Sequence, residues 1–280
     1  MADQNETGGT SWHEEQPAPP AQPMFNVPAS ILVLILCFGV IHAGRALLSP
    51  EQDLVFLIEM AFIPARYVEG LLASGLTGFT SFVSYNFLHG DLTHLGVNSV
   101  WLLAMGSAVA KRVGTFRFLL FSFVCGIFAA LAHLLTHWGE IVPVIGASGA
   151  ISGHMAAAIR FVFSVPGNRQ GAGMLHGNLR AIPLKPLSVA MQDGRVLAIL
   201  VIWLLINVLS GLGIIAVGDE NPIAWEAHIG GFVAGLLLFS LFDHPGNGEQ
   251  VPLEGATQSD ESALDELSPP GSDDQNNRSS

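Results

Sequence analysis

The sequence predicts an all-α, polytopic membrane protein. Half of its 280 residues are hydrophobic and only 12% are charged, which is about half the charged fraction of an average soluble domain. Apolar stretches of about 20 residues, long enough to cross a bilayer, recur along the chain. Its two cysteines lie inside such stretches without paired spacing, so they indicate neither a disulfide framework nor a metal site.

Charge divides the chain into three regions. Residues 1–28 hold four acidic residues and no Lys or Arg, residues 243–280 hold nine acidic residues and one Arg, and the charges between them balance. Both ends are rich in Pro, Gly, Ser, Gln and Asn, as disordered segments are. We therefore predict disordered acidic tails at 1–28 and 243–280 and a membrane domain at 29–242. The N-terminal tail has no basic stretch, so we expect no cleaved signal peptide.

Six membrane-spanning helices are predicted within this domain. Their expected bounds are 30–48, 92–110, 115–136, 146–164, 196–217 and 224–242. Eight of the eleven Lys and Arg residues fall in or beside the connections between spans two and three and between spans four and five. Basic residues mark cytoplasmic loops, so we expect both termini in the cytoplasm. The compact six-span layout indicates a bacterial inner (plasma) membrane.

The segment 49–91 is predicted to lie on the outer side. It is partly apolar but is interrupted by Glu59, Pro64, Arg66 and Glu69. A seventh span is the alternative, which these interruptions disfavour. We predict a partly helical lobe that lies in the membrane interface.

Polar side chains inside three of the spans form the candidate site. Such residues are costly in a bilayer and indicate function by default. Span two contains His94 and Asn98, with His89 at its mouth, span four contains Ser148, and span six contains His228. All three spans run inward from the outer side. At 1.5 Å per residue, Asn98, Ser148 and His228 lie about 18–22 Å from the inner ends of their helices, and His94 about 6 Å further out. The spacing therefore predicts one polar cluster in the outer half of the bilayer.

Glycines in spans four and six predict close packing of these two helices. Each span has a pair four residues apart, which are Gly149 and Gly153, and Gly231 and Gly235. Such GxxxG faces let helix backbones approach closely. His228 lies on the glycine face of span six. If the faces pack together, the Ser148 hydroxyl and the His228 ring come within hydrogen-bonding distance.

A serine beside a histidine is the minimal pair for acyl transfer, since the imidazole removes the hydroxyl proton. Pro143 and Gly146 favour a helix start at Ser148, whose free N–H groups would face a developing oxyanion. His94 and Asn98 lie one helical turn apart and offer two further donors.

Other chemistries are less well supported. A zinc site from His89, His94 and His228 has poor ligand spacing, and no HExxH pattern occurs. No nucleotide-binding loop is present either. We therefore expect no metal, no cofactor and no nucleic-acid partner. The remaining intramembrane polar residues are interpreted as interface or helix–helix hydrogen bonds; they are His42, His133, His137, His154 and Asn207.

Three motifs resemble those of the rhomboid family of intramembrane serine proteases. They are HGDLTHLGVN (HxxxxHxxxN), GASGAISG (GxSG) and AHIGGFVAG (AHxxGxxxG), in spans two, four and six. The resemblance covers roughly residues 30–242 and implies a six-helix bundle with a Ser–His dyad, without a third acidic residue or a cofactor. It makes Ser148 the nucleophile and His228 the general base.

The resemblance also implies roles for the surrounding residues. His94 and Asn98 would stabilise the oxyanion together with the Ser148 N–H, and His89 would support the site. Four glycines match packing and loop positions: Gly146, Gly149, Gly231 and Gly235. The implied partners are transmembrane protein substrates in the lipid bilayer, cleaved near the outer end of their helix and typically beside small residues.

The chain departs from the family pattern at two places. A Trp-Arg pair in the first outer loop is represented only by PAR around Arg66, and Ser152 stands where some members have an aromatic residue. The alternative function is a catalytically inactive rhomboid-like protein that binds transmembrane segments. A transporter with a proton or ion relay is disfavoured because the cluster has no carboxylate deep in a span.

Overall fold

The computed structural model describes residues 27–163, 179–214 and 224–243. Within these ranges the chain is helical and has no β-strand, apart from one isolated antiparallel bridge between Phe62 and Val144. The all-α prediction is confirmed. Nearly all of both predicted tails falls outside the described residues.

Nine α-helices are described in these ranges. In chain order they are α1 (Ala29–Arg45), α2 (Pro50–Met60), α3 (Gly75–Ser84), α4 (Leu92–Val113), α5 (Thr115–Thr136), α6 (Ser148–Val162), α7 (Leu187–Ala190), α8 (Gly194–Gly211) and α9 (Trp225–Phe242). A five-residue π-helical stretch, Leu102–Gly106, lies within α4. Short 3₁₀ turns cover Pro64–Tyr67, Tyr85–Phe87 and Leu179–Ala181.

Four of the described helices, α4, α5, α8 and α9, are long and apolar enough to cross a bilayer. The chain is accordingly an integral membrane protein with a polytopic helical bundle. Two other predicted spans form shorter helices, of 17 residues in α1 and 15 in α6. Six crossings therefore remain a prediction.

Helix bounds differ from the predicted spans where local chemistry stops or starts a helix. α1 ends at Arg45 rather than at 48, because Ser49 begins α2 through a capping box with Gln52. α4 runs on to Val113 and stops at Gly114, whose φ of +83° suits glycine. α6 begins at Ser148 rather than at 146. The predicted ends of spans four and five, 164 and 215–217, lie outside the described residues.

The outer segment 49–91 folds into α2, α3 and short turns. The two helices have 11 and 10 residues, and neither is long enough to cross a bilayer. α2 exposes apolar side chains such as Leu54 and Val55 and buries none of its residues. The partly helical character agrees with the sequence analysis, and the interfacial position stays a prediction.

Helix α9 packs mainly against α5 and α6. A Cβ atom added to Gly231 would collide with the carbonyl oxygen of Gly149, and one added to Gly235 would collide with that of Gly153. A Cβ on Gly153 would collide with the side chain of Cys125 on α5. The α6 and α9 backbones therefore touch directly through their GxxxG faces, which no larger residue would permit.

A buried ion pair lies where α4 and α9 end. Arg112 near the end of α4 donates twice to Asp243 just after α9, with both distances 2.8 Å. The same guanidinium donates to the carbonyls of Leu179 and Ile182 and lies 4.7 Å from the centre of the Phe161 ring. These contacts tie the ends of α4 and α9 together.

Candidate active site

Ser148 and His228 meet where α6 and α9 touch. Ser148 is the first residue of α6 and His228 the fourth of α9. The Ser148 Oγ lies 2.7 Å from the His228 Nε2. The backbone contact between Gly149 and Gly231 brings the two side chains this close, because Ser148 directly precedes Gly149 and His228 lies one turn before Gly231.

Asn207 on α8 is the third member of this hydrogen-bonded chain. Its Nδ2 donates to the Trp203 carbonyl at 2.7 Å, which leaves its Oδ1 to accept from the His228 Nδ1. With the proton on Nδ1, the His228 Nε2 carries a lone pair and accepts the hydrogen bond from Ser148. The tautomer needed for a general base is thereby selected by α8.

The sequence alone indicates only a helix–helix hydrogen bond for Asn207. Asn207 does make such a bond, and its partner is His228, the predicted general base. A strongly polar residue in the otherwise apolar run LAILVIWLLINVL was the available signal. Among the described contacts of His228, the third group is a neutral amide.

The start of α6 presents backbone donors beside the Ser148 hydroxyl. The first N–H bonded within the helix is that of Ile151, which donates to the Ala147 carbonyl. Ala147 at the N-cap has no side chain that could accept from the earlier N–H groups. Gly146 turns the chain into the helix with a φ of +112°, and its own N–H donates to the Tyr85 carbonyl. The helix start therefore offers the Ser148 N–H to an oxyanion.

The His94 ring lies against the same turn. A Cβ added to Gly146 would lie 2.6 Å from the His94 Nε2 and 3.8 Å from the Ser148 Oγ. The Gly90 N–H donates to the His94 Nδ1 at 3.4 Å, so the proton of the neutral ring lies on Nε2. Asp91 caps α4 by accepting from the His94 N–H at 2.8 Å and holds that residue at the helix start. His94 thus places its Nε2–H beside the turn that leads into Ser148.

Asn98 and His89 lie behind His94. The buried Asn98 donates from Nδ2 to the His94 carbonyl at 3.0 Å. No hydrogen bond in the described ranges joins Asn98 to Ser148 or His228. The buried His89 ring packs between those of Phe38 and His94, with centroid distances of 5.0 and 5.1 Å. Both residues support His94 in this structure.

Comparison with known proteins places this site in a family. Residues 77–243, more than half of the chain, match the family model described as Rhomboid domain. The chain belongs to the rhomboid family. It is 23% identical to the Rhomboid protease GlpG of Yersinia pseudotuberculosis serotype I (strain IP32953) over 211 residues, 75% of this chain and 61% of that protein.

Two further relatives show how far the similarity extends. The Rhomboid protease GlpG of Yersinia pestis (strain Pestoides F) matches with the same identity and coverage. RHOMBOID-like protein 4 of Arabidopsis thaliana is 28% identical over 167 residues, 59% of this chain and 35% of that protein. This rhomboid therefore spans less than two thirds of the length of the curated relatives it matches.

The two departures from the family pattern have visible structural consequences. Ser152, one turn after Ser148, donates from its hydroxyl to the Ser148 carbonyl at 2.8 Å and does not stack on His228. Arg66 donates to the carbonyls of Ile58 and Ala61 at the end of α2. Arg66 thus ties the turn that contains it to the end of α2.

Proposed function

We propose that this rhomboid is an intramembrane serine endopeptidase that cleaves transmembrane protein substrates through an acyl-enzyme on Ser148. The observation that carries the proposal is the hydrogen-bonded chain from Ser148 through His228 to Asn207. Membership of the rhomboid family and similarity to proteins named rhomboid proteases support it.

Acylation begins with the transfer of the Ser148 hydroxyl proton to the His228 Nε2 while Oγ attacks the scissile carbonyl carbon. The Asn207 Oδ1 accepts from the Nδ1–H and keeps the imidazolium ring in place. The Ser148 N–H and the His94 Nε2–H donate to the oxyanion of the tetrahedral intermediate. His228 then gives the proton from Nε2 to the leaving amine, the C–N bond breaks, and an ester on Ser148 remains.

Deacylation repeats these steps with water. His228 takes a proton from a water molecule, whose oxygen attacks the ester carbonyl, and the same donors stabilise the second oxyanion. Collapse of the intermediate returns the proton to the Ser148 Oγ and releases the carboxylic acid product. Each step needs only the substrate, water and the chain's own residues, so the proposed reaction requires no cofactor.

The substrate class follows from where the site lies along its helices. Ser148 and His228 are at the starts of α6 and α9, which we expect at the outer side because Lys and Arg cluster at the other end. A scissile bond near the outer end of a transmembrane helix would reach this depth in the bilayer. With both termini cytoplasmic in a bacterial inner membrane, water would enter from the outer face.

The test is cleavage of a model single-span substrate by the purified chain in proteoliposomes. We expect cleavage by the wild type and none by Ser148→Ala or His228→Ala. Ser99→Ala is the matched control, since it removes a hydroxyl on α4 that donates to the Leu95 carbonyl. Cleavage that persists in Ser148→Ala would overturn the proposal. A wild type that binds the substrate without cleaving it would favour the catalytically inactive alternative.

A further inference from the structure

A second cluster of titratable side chains lies where α5 ends and α9 begins, and the proposed reaction does not use it. His133 and His137 are four residues apart at the end of α5, and Glu226 is the second residue of α9. One ligand atom from each of the three residues lies within 4.8 Å of the others. Ligand atoms around a tetrahedral Zn²⁺ ion are about 3.4 Å apart, so small side-chain rotations would suffice to bind one.

His133 supplies a lone pair that no protein group in the described ranges uses. Its ring is buried, and its Nε2 lies 3.1 Å from the Val142 carbonyl, which accepts from it. That bond leaves Nδ1 deprotonated, and this buried nitrogen has no hydrogen-bond partner among the described residues. A metal-binding histidine has this arrangement, with one nitrogen held by a backbone carbonyl and the other open to the ion.

His137 is oriented in the same way by a carboxylate. Its Nδ1 lies 2.8 Å from Glu140 Oε2, and its Nε2 lies 3.3 Å from Glu226 Oε1. Its ring centroid is 4.5 Å from that of His133. A carboxylate on the far nitrogen of a ligand histidine is a common feature of zinc sites, because it fixes the ring and raises its basicity.

We propose that His133 Nδ1, His137 Nε2 and the Glu226 carboxylate bind a divalent transition-metal ion, with Zn²⁺ as the best match to the ligand set and water as the fourth ligand. Two imidazoles and one carboxylate suit zinc better than Mg²⁺ or Ca²⁺, which prefer oxygen ligands. Glu140 would hold His137 from behind the ion.

Solvent can reach this site without opening the bundle. The His137 side chain is 25% exposed and that of Glu226 15%. The ion would connect the end of α5 to the start of α9, two residues before His228. The proposal departs from the sequence analysis, which expected no metal and assigned both histidines to hydrogen bonds. It does not depend on proteolytic activity.

The test is Zn²⁺ binding by the full-length, tag-free protein in detergent, stripped with a chelator and titrated calorimetrically. We expect one Zn²⁺ per chain and a higher Tm with zinc than with chelator. Co²⁺ in its place should give the visible absorption of a tetrahedral site. His137→Ala and Glu226→Gln should each weaken binding by about 100-fold or more, and Glu140→Gln by about 10–100-fold, the usual effect of a residue behind a ligand.

Glu59→Gln is the matched control, because Glu59 lies on the outer lobe and accepts from the Thr77 hydroxyl. It should bind Zn²⁺ as the wild type does. Absence of saturable one-to-one binding to the wild type would overturn the proposal without reference to any variant. Binding of unchanged affinity in both His137→Ala and Glu226→Gln would overturn it as well.

Discussion

The described part of the chain contains two serine–histidine pairs with the same separation and opposite proton arrangements. The Ser148 Oγ lies 2.7 Å from the His228 Nε2, and the Ser122 Oγ lies 2.7 Å from the His154 Nε2. Ser122 also donates to the Phe118 carbonyl at 2.7 Å, which uses its single hydroxyl proton. His154 must therefore donate to Ser122 through Nε2–H, and that nitrogen has no lone pair with which to act as a base.

The surroundings of the two pairs also differ, and they too favour reactivity at Ser148 over Ser122. Ser122 lies inside α5, where its N–H is bonded within the helix, whereas Ser148 is the first residue of α6. The His154 Nδ1 has no hydrogen-bond partner in the described part of the chain, whereas the His228 Nδ1 is held by Asn207. A short distance between a serine Oγ and a histidine Nε2 does not by itself make the serine nucleophilic. An acceptor for the imidazole Nδ1–H and hydrogen-bond donors near the reacting oxygen are needed as well.

The largest expected difference between the two pairs is in the reactivity of their serines toward a fluorophosphonate probe and in their contribution to substrate cleavage. Ser148→Ala should lower kcat by at least about 10⁴-fold, as loss of a serine nucleophile does. Ser122→Ala should leave both readouts within about twofold of the wild type, because its hydroxyl proton is committed to Phe118. Equal losses in the two variants would remove the distinction between the pairs.

In the described ranges the proposed oxyanion donors lie around Ser148 and not around Ser122, so removing one should affect catalysis alone. His94→Ala should lower kcat by about 10²–10³-fold, the usual cost of a lost oxyanion donor, with little change in KM. His154→Gln, which alters the other histidine, should keep kcat near the wild-type value. A loss in His94→Ala that lies mainly in KM would argue against its role as an oxyanion donor.

Asn207 distinguishes the pairs by selecting the His228 tautomer. Asn207→Leu removes the acceptor for Nδ1–H, and because a hydrogen bond to a charged group contributes about 1.5–3 kcal/mol, kcat should fall about 10–100-fold. Asn207→Asp keeps an acceptor and should retain more activity than the leucine variant at every pH measured. Equal activity in the two variants would reduce Asn207 to a packing residue.

The smallest expected effect is on stability. Ser122→Ala leaves the buried His154 Nε2–H without its acceptor, which should lower the free energy of unfolding by about 1–3 kcal/mol. Ser148→Ala should change it less, since we propose a catalytic rather than a structural role for that hydroxyl. Thermal unfolding of both variants in one detergent checks the order, and the reverse order would contradict the structural role given to Ser122.

The polytopic helical architecture and the glycine contact could be predicted from the sequence because both follow from local patterns. Apolar runs predict spans, and the spacing of Gly149, Gly153, Gly231 and Gly235 predicts which faces touch. Contacts between residues on different helices were harder to predict. The Asn207–His228 contact depends on where α8 lies, and the cluster of His133, His137 and Glu226 depends on where α9 begins relative to the end of α5; no local pattern encodes either.

The surroundings of the helix starts were also difficult to predict from the sequence. Pro143 and Gly146 in the sequence favour a helix start at Ser148, but they do not reveal that Gly146 also lies beside the His94 ring. The one-turn spacing predicts the same oxyanion role for Asn98 as for His94. The structure directs one of the two Asn98 Nδ2–H donors to the His94 carbonyl, and the oxyanion role stays a prediction.

Peptide mapping by mass spectrometry after reaction with a fluorophosphonate tests the central claim most directly, since both serines are present in one molecule. We expect a single phosphonate adduct on Ser148, absent in His228→Ala, with Ser122 unmodified. An adduct on Ser122 or another serine, or labelling of Ser148 that survives in His228→Ala, would refute the proposed role of the Ser148–His228 pair.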